Sequence, residues 1–397
     1  MNLSERITNL HESQTLAMAR KSRELKAQGI QVINLSLGEP DFNTPDFIKE
    51  AAKRAIDENY SHYSPVSGYA DLREVISKKF ARDNGLTYSP DEIVVSTGAK
   101  QSLINVVMCL VNPGDEVIIL APYWVSYTAM VQLAGGIPVF VSAGVEQDYK
   151  PTAEQIERAI TPRTKLLLFS TPCNPTGSVF TYDELSALAD VLRLHPHVFA
   201  ISDEIYEHII FDEKHISLAS FEGMRDRVIT VNGLSKGFAM TGWRIGFIGA
   251  PREIAQACDK YQGQYTSGTC TISQRAAIAA LEADPSEISY MKDAFLRRRD
   301  IVLDLLGKIP GFKVNVPKGA FYVFPDVSEL LGKRFGDLVI RNTEDLCMYF
   351  LNQAHVSLVT GDAFGAEKCI RISYAASETD LIEAIARIHQ AVNNLTD

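Results

Sequence analysis

The chain has 397 residues, 46% hydrophobic and 22% charged, which is ordinary globular composition with length enough for a large core and two domains. Its formal net charge of -10 is spread along the chain and opposes general attraction to phosphate backbones or anionic lipid, so neither nucleic acid nor membrane is an expected partner. The first thirty residues lack the apolar block of a signal peptide and no apolar run approaches membrane-spanning length, so the expected location is the cytoplasm.

In chain order, a helix is predicted over Ser13 to Gln28, followed by the turn-rich Gly38-Glu39-Pro40-Asp41-Phe42. This segment, residues 1–45, is expected to pack on a small domain. Between residues 90 and 250, short β-branched runs alternate with helical patterns, the signature of a mostly parallel sheet covered by helices. Seven strands are predicted: Ile93 to Val95, Val117 to Ala121, Ile137 to Val141, Lys165 to Ser170, Val198 to Ser202, Val228 to Asn232 and Ile245 to Gly249. A helix over Lys100 to Val111 carries Leu103, Val106, Val107 and Leu110 on one face. After a long charged helix near Tyr290 to Leu306 the rhythm changes and ends in an amphipathic stretch, Glu378 to Asn393. The fold class is therefore α/β, with a large domain over 46–285 and a smaller α+β domain over 286–397. Six cysteines lie far apart without a C-x-x-C pair, which speaks against a zinc knuckle, a metal site or a disulfide framework.

Ligands of open α/β sheets sit outside the carboxyl ends of the strands. Four predicted strands run there into polar text: Ser96-Thr97-Gly98-Ala99-Lys100, Thr171-Pro172-Cys173-Asn174-Pro175-Thr176-Gly177, Ser202-Asp203-Glu204-Ile205-Tyr206 and Asn232-Gly233-Leu234-Ser235-Lys236. The first offers unpaired amides at a helix start, a ready phosphate site. Lys100 in that first turn opposes the helix dipole unless an anion is near. Gly233 to Gly237 also matches the G-x-S-x-G elbow of serine hydrolases, with Ser235 as nucleophile. That alternative needs a downstream histidine in a loop, yet His389 falls in an amphipathic helix and His355 at a helix end. Arg371, set among apolar residues in a predicted strand, needs an anion once buried.

The run from Gly233 to Gly246 resembles the cofactor-lysine signature of class I aminotransferases, in the fold-type I pyridoxal phosphate family. The similarity continues through Gly38 to Phe42, Tyr63 before Gly68, Gly98-Ala99-Lys100, Pro122-Tyr123-Trp124, Asn174 to Gly177, Asp203 to Tyr206 and Arg371, and is nearest to the bacterial aspartate and prephenate aminotransferase branch. The resemblance implies a homodimer that uses pyridoxal 5'-phosphate to transaminate amino acids and 2-oxo acids, aspartate with 2-oxoglutarate first. Prephenate or aromatic aminotransferases, and other enzymes of the fold such as C–S lyases, share its cofactor residues. By the same resemblance Lys236 holds the cofactor as a Schiff base and moves the α-proton. Asp203 pairs with the ring nitrogen, and Tyr206 and Asn174 with the ring 3'-oxygen. Gly98, Ala99 and Arg244 hold the phosphate, joined by Tyr63 from the second subunit; Gly233 replaces a hydroxyl common in relatives, which Ser235 offsets in part. Trp124 stacks on the ring and Arg371 takes the substrate α-carboxylate, with Gly38 and Asn174 against the substrate. Lys100 resembles the lysine that takes the side-chain carboxylate, with Ser13 and Thr15 as N-terminal partners, although the cofactor phosphate is a competing anion for it.

Overall fold

Seven apolar runs form one sheet in the computed structural model, which describes residues 3–8, 10, 14–212 and 214–397, the side chains at 6, 14–17 and 19 excepted. The strands are β1 (Ile93–Thr97), β2 (Glu116–Ala121), β3 (Ile137–Ser142), β4 (Thr164–Ser170), β5 (Phe199–Asp203), β6 (Val228–Gly233) and β7 (Ile245–Gly249). Their ends fall within two residues of the sequence expectation. In space the order is β1-β7-β6-β5-β4-β2-β3, parallel throughout except for β7, which is antiparallel to both neighbours.

The inner strands read as unbroken apolar runs because both faces are covered. Ile118 and Leu120 of β2, with Leu167 and Phe169 of β4, pack into one core layer, while the alternating Val117, Ile119, Leu166 and Leu168 pack into the other. Each such side chain contributes roughly 1.5–3 kcal/mol, and an aspartate at Ile119 would instead bury an unpaired charge.

Helix α1 is Gln14–Ala27, and α2 (Ala99–Leu110) follows β1 directly and lays Leu103, Val106 and Val107 on the β1, β6 and β7 surface. Gly98 makes the corner between β1 and α2 with φ of +81°, the left-handed region that glycine enters without strain.

A second, three-stranded antiparallel sheet has the order β9-β10-β8, from β8 (Tyr322–Val323), β9 (Val359–Thr360) and β10 (Ile370–Ser373). Helices α3 (Ser289–Leu306) and α4 (Glu378–Asn393) pack on each other beside it. Ser377 caps α4 by accepting the Asp380 amide at 3.1 Å, and Leu381, Ala384, Ile385 and Ile388 form its buried stripe. The chain start crosses onto this unit. Ile33–Asn34 pairs in parallel with Val356–Ser357, and α1 rests against the strands at 356–360. Asp41 is then gripped by both terminal guanidinium nitrogens of Arg298, at 2.7 and 2.9 Å, so the Gly38 to Phe42 turn is pinned to α3.

Candidate active site

A cavity of about 490 Å³ opens where the carboxyl ends of the large sheet face the small sheet and the turn at 36–39. Reversal of β7 matters here. Thr97 pairs with Ile245 and Gly233 with Gly246, so Arg244, the residue before β7, lies at the edge where β1 and β6 finish.

Asp203 ends β5 and is buried. Tyr127, itself wholly buried, donates its hydroxyl to Asp203 Oδ2 at 2.8 Å. Burial nevertheless outweighs that bond and pushes the Asp203 carboxyl up to about 6. Lys236, just beyond β6, points its amine into the same space and donates to the Gly38 carbonyl at 2.5 Å. Burial brings this amine down to about 8, with Arg371 and Arg244 adding repulsion and Glu39 and Asp203 opposing it. A neutral amine is therefore accessible near physiological pH.

Arg371 sits in β10 at 2% exposure. Its Nη1 donates to Asn174 Oδ1 at 3.0 Å and its Nη2 to the Ser36 carbonyl at 2.6 Å, while Nε has no partner. Among the described residues no carboxylate pairs with it, so a buried guanidinium faces the cavity without an anion. Beside it, the Tyr206 and Tyr322 hydroxyls lie 2.8 Å apart.

At the other end, a Cβ at Gly98 would strike the Arg244 guanidinium, so glycine is what lets arginine and helix start meet. Arg244 is held by the Thr241 carbonyl at 2.8 Å and stays exposed. Lys100 extends over the Trp124 ring, 4.9 Å from its centroid. Burial and then Arg244 hold its amine below the ordinary lysine range, and no ion pair reaches it among the described residues.

The cavity thus gathers Lys236, Asp203, Tyr206, Asn174, Arg244, Arg371, Ala99, Lys100, Trp124, Ser235 and Gly38, with Gly98 against Arg244. Tyr63 does not line it and is 99% exposed. Ser13 lies outside the described residues; Thr15 has its backbone in α1 and its side chain outside them. Among the described residues no histidine lines the cavity beside Ser235, so the hydrolase alternative finds no base among them. Tyr127, Tyr322 and Glu39 line the cavity too and were not singled out by sequence. Of these only Glu39 carried a local signal, as a member of the turn-rich Gly38 to Phe42 stretch.

The arrangement fits an anionic, basic-nitrogen heterocycle with a carbonyl. Asp203 offers a buried carboxylate awaiting a cation, Arg244 and the first-turn amides of α2 offer an anion cradle, and Lys236 offers an amine able to lose its proton. The volume admits pyridoxal phosphate with a small substrate.

A family profile described as "Aminotransferase class I and II" matches residues 30–388. The chain is 48% identical over 389 residues to an aspartate/prephenate aminotransferase of Cereibacter sphaeroides, with 97% of each protein covered. It is 46% identical over 399 residues to a bifunctional aspartate aminotransferase and glutamate/aspartate-prephenate aminotransferase of Petunia hybrida, covering 99% of this chain and 83% of that one. Among solved structures, the aspartate aminotransferase of Rhizobium meliloti superposes with a TM-score of 0.96 at 42% identity over 100% of both chains. That of Thermus thermophilus with maleate gives 0.93 at 40% identity, over 98% of this chain and 100% of the other. The chain belongs to the class I and II aminotransferases, and its cofactor is pyridoxal 5'-phosphate.

Proposed function

We propose that the enzyme transfers the amino group of aspartate to 2-oxoglutarate, within a homodimer whose two sites are each completed by the partner. The observation that carries the reading is the pair of cationic groups that line one cavity with Lys236, Arg371 and Lys100, neither ion-paired among the described residues. A dicarboxylic amino acid matches them with one carboxylate each.

Bound in the cavity, pyridoxal phosphate supplies a carbonyl that condenses with amines and a pyridinium ring that withdraws electrons from the substrate α-carbon. The chain supplies the rest. Asp203 stays ionised against the ring nitrogen and keeps that nitrogen protonated. Lys236, neutral because burial lowers its pKa, accepts the α-proton and returns it to the neighbouring carbon. Tyr206 and Asn174 hydrogen-bond the ring oxygen, and Trp124 covers the ring face. Arg244 and the amides of Ala99 and Lys100 hold the phosphate, with Ser235 beside them. Arg371, hydrogen-bonded to Asn174 and the Ser36 carbonyl, binds the α-carboxylate and aligns the α-carbon near Lys236, with Gly38 leaving room for the substrate. Lys100 binds the side-chain carboxylate, and Ser13 and Thr15 are assigned to the same end.

Full exposure of Tyr63 supports its assignment to the partner's phosphate site. We divide the chain into an N-terminal segment to residue 45, a cofactor domain at 46–285 and a small domain from 286. Six free cysteines support a cytoplasmic setting. No helix among the described residues is long and apolar enough to cross a membrane. Relatives named for prephenate favour that keto acid as a second acceptor. Single-turnover half-reactions with aspartate, glutamate, tyrosine, alanine and arogenate test the reading by loss of the bound-cofactor absorbance. Aspartate and glutamate should convert fastest, arogenate joins them if prephenate is an acceptor, and preference for alanine or tyrosine overturns the dicarboxylate assignment.

A further inference from the structure

Tyr322 lines the cavity beside both Arg371 and Tyr206, and none of the roles above uses it. It opens β8 and is wholly buried. In the β10–β8 pairing Tyr322 faces Ser373, so Arg371, two residues away on the same face, is its diagonal neighbour. That placement sets the Arg371 guanidinium 4.7 Å from the Tyr322 ring centroid. The hydroxyl meanwhile reaches the Tyr206 hydroxyl at 2.8 Å, with the two rings nearly perpendicular. Gly38 guards the arrangement, since a Cβ there would come within 2.5 Å of the Tyr322 oxygen.

We propose that Tyr322 is a positioning residue that joins cofactor tuning to carboxylate recognition, its hydroxyl donating to Tyr206 and its ring fixing the plane of Arg371. Two phenols in contact share one proton in the bond between them. With Tyr322 as donor, the Tyr206 proton turns into the cavity, polarised by the bond it accepts. With Tyr322 as ring support, Arg371 keeps its orientation even when no substrate is present. Two different parts of one side chain therefore serve two ends of the site, and substitution separates them. This rests on the roles proposed for Tyr206 and Arg371.

The test uses the cofactor-loaded enzyme and two readouts that are not activity: the pH midpoint of its visible absorbance band and the spectral Kd for maleate as a non-reacting dicarboxylate. Tyr322→Phe keeps the ring and removes the hydroxyl. Its midpoint should rise, because a weaker Tyr206 donor leaves more charge on the ring oxygen to hold the proton, by about fivefold in proton affinity for one hydrogen bond. Its maleate Kd should stay within about twofold, and kcat should change more than KM. In a Tyr206→Phe background the same substitution should add nothing. Tyr322→Leu removes the ring too and should weaken maleate about 30-fold, the scale of a buried cation–π contact. If Tyr206→Phe moves the midpoint and Tyr322→Phe does not, or if the two shifts simply add, the Tyr322 proposal falls alone. If Tyr206→Phe leaves the midpoint in place, the role of Tyr206 falls and takes this one with it. Equal maleate binding in Tyr322→Leu and wild type overturns the arginine half. Should the leucine variant retain no cofactor, the phenylalanine variant and the Tyr206→Phe cycle decide the hydroxyl half, and a Tyr322→Met variant decides the other.

Discussion

Asp203 is held in the cavity at an energetic cost that the cofactor-free protein should reveal. Its carboxyl moves from 3.8 to about 6 because burial removes more stabilisation than the Tyr127 hydroxyl restores. Two units correspond to about 3 kcal/mol at neutral pH. Because the folded pKa lies above the unfolded one, the group's contribution to stability is fully present below 3.8 and is lost as pH rises through about 6. Asp203→Asn has no such titration, while its amide can still accept from Tyr127. The assay is urea unfolding of cofactor-free wild type and Asp203→Asn from pH 4 to 7.5 at one protein concentration. Any constant effect of the amide cancels in the pH dependence of the difference. Wild-type stability minus that of the variant should fall by about 2.5 kcal/mol across this range, the rest being lost already below pH 4. Loading the cofactor should reverse the trend, since its cationic ring nitrogen then meets the carboxylate. A flat difference in the cofactor-free proteins would refute the reasoning, and a rising one would mean that Asp203 already faces a cation.

Lys100→Ala should slow aspartate and glutamate by roughly 30-fold or more, the loss of about 2–5 kcal/mol from a desolvated ion pair, while alanine changes little. Weaker cofactor retention with aspartate and alanine slowed equally would assign Lys100 to the phosphate. Loading of the cofactor-free enzyme requires a neutral Lys236, so its rate should climb with pH and level off above about 8. A rate still climbing at the pH of an ordinary lysine would contradict the depressed value. Mixing inactive Tyr63→Ala and Lys236→Ala chains should regain activity through hybrid dimers, measured after subunit exchange is verified by mass. Verified exchange with no activity would remove Tyr63 from the partner's site.

The large sheet was legible because parallel strands covered on both faces leave unbroken apolar runs, as in Val117 to Leu120 and Leu166 to Phe169. The principal polar residues of the cavity were legible for a related reason, since Asp203, Asn174 and Lys236 follow strand ends and topology brings strand ends together. Of the small sheet only the strand around Arg371 was. Strands as short as Tyr322–Val323 and Val359–Thr360 carry no periodicity to read. Tyr127 and Tyr322 owe their places to partners 76 and 116 residues away, a through-space fact that no local pattern encodes. Arg371 shows the middle case: an arginine between isoleucines announces that it needs an anion, but only the fold shows that Asn174 and the Ser36 carbonyl leave its Nε unpaired.

The central claim is that Lys236 is the residue to which the cofactor is covalently attached. Reduction of the loaded enzyme with borohydride, followed by proteolysis and mass spectrometry, locates the pyridoxyl group directly. A single modified peptide spanning Gly233 to Arg244 is expected, labelled at Lys236 and absent from Lys236→Ala. Labelling at Lys100 or at any other lysine, with Lys236 unmodified, would contradict it.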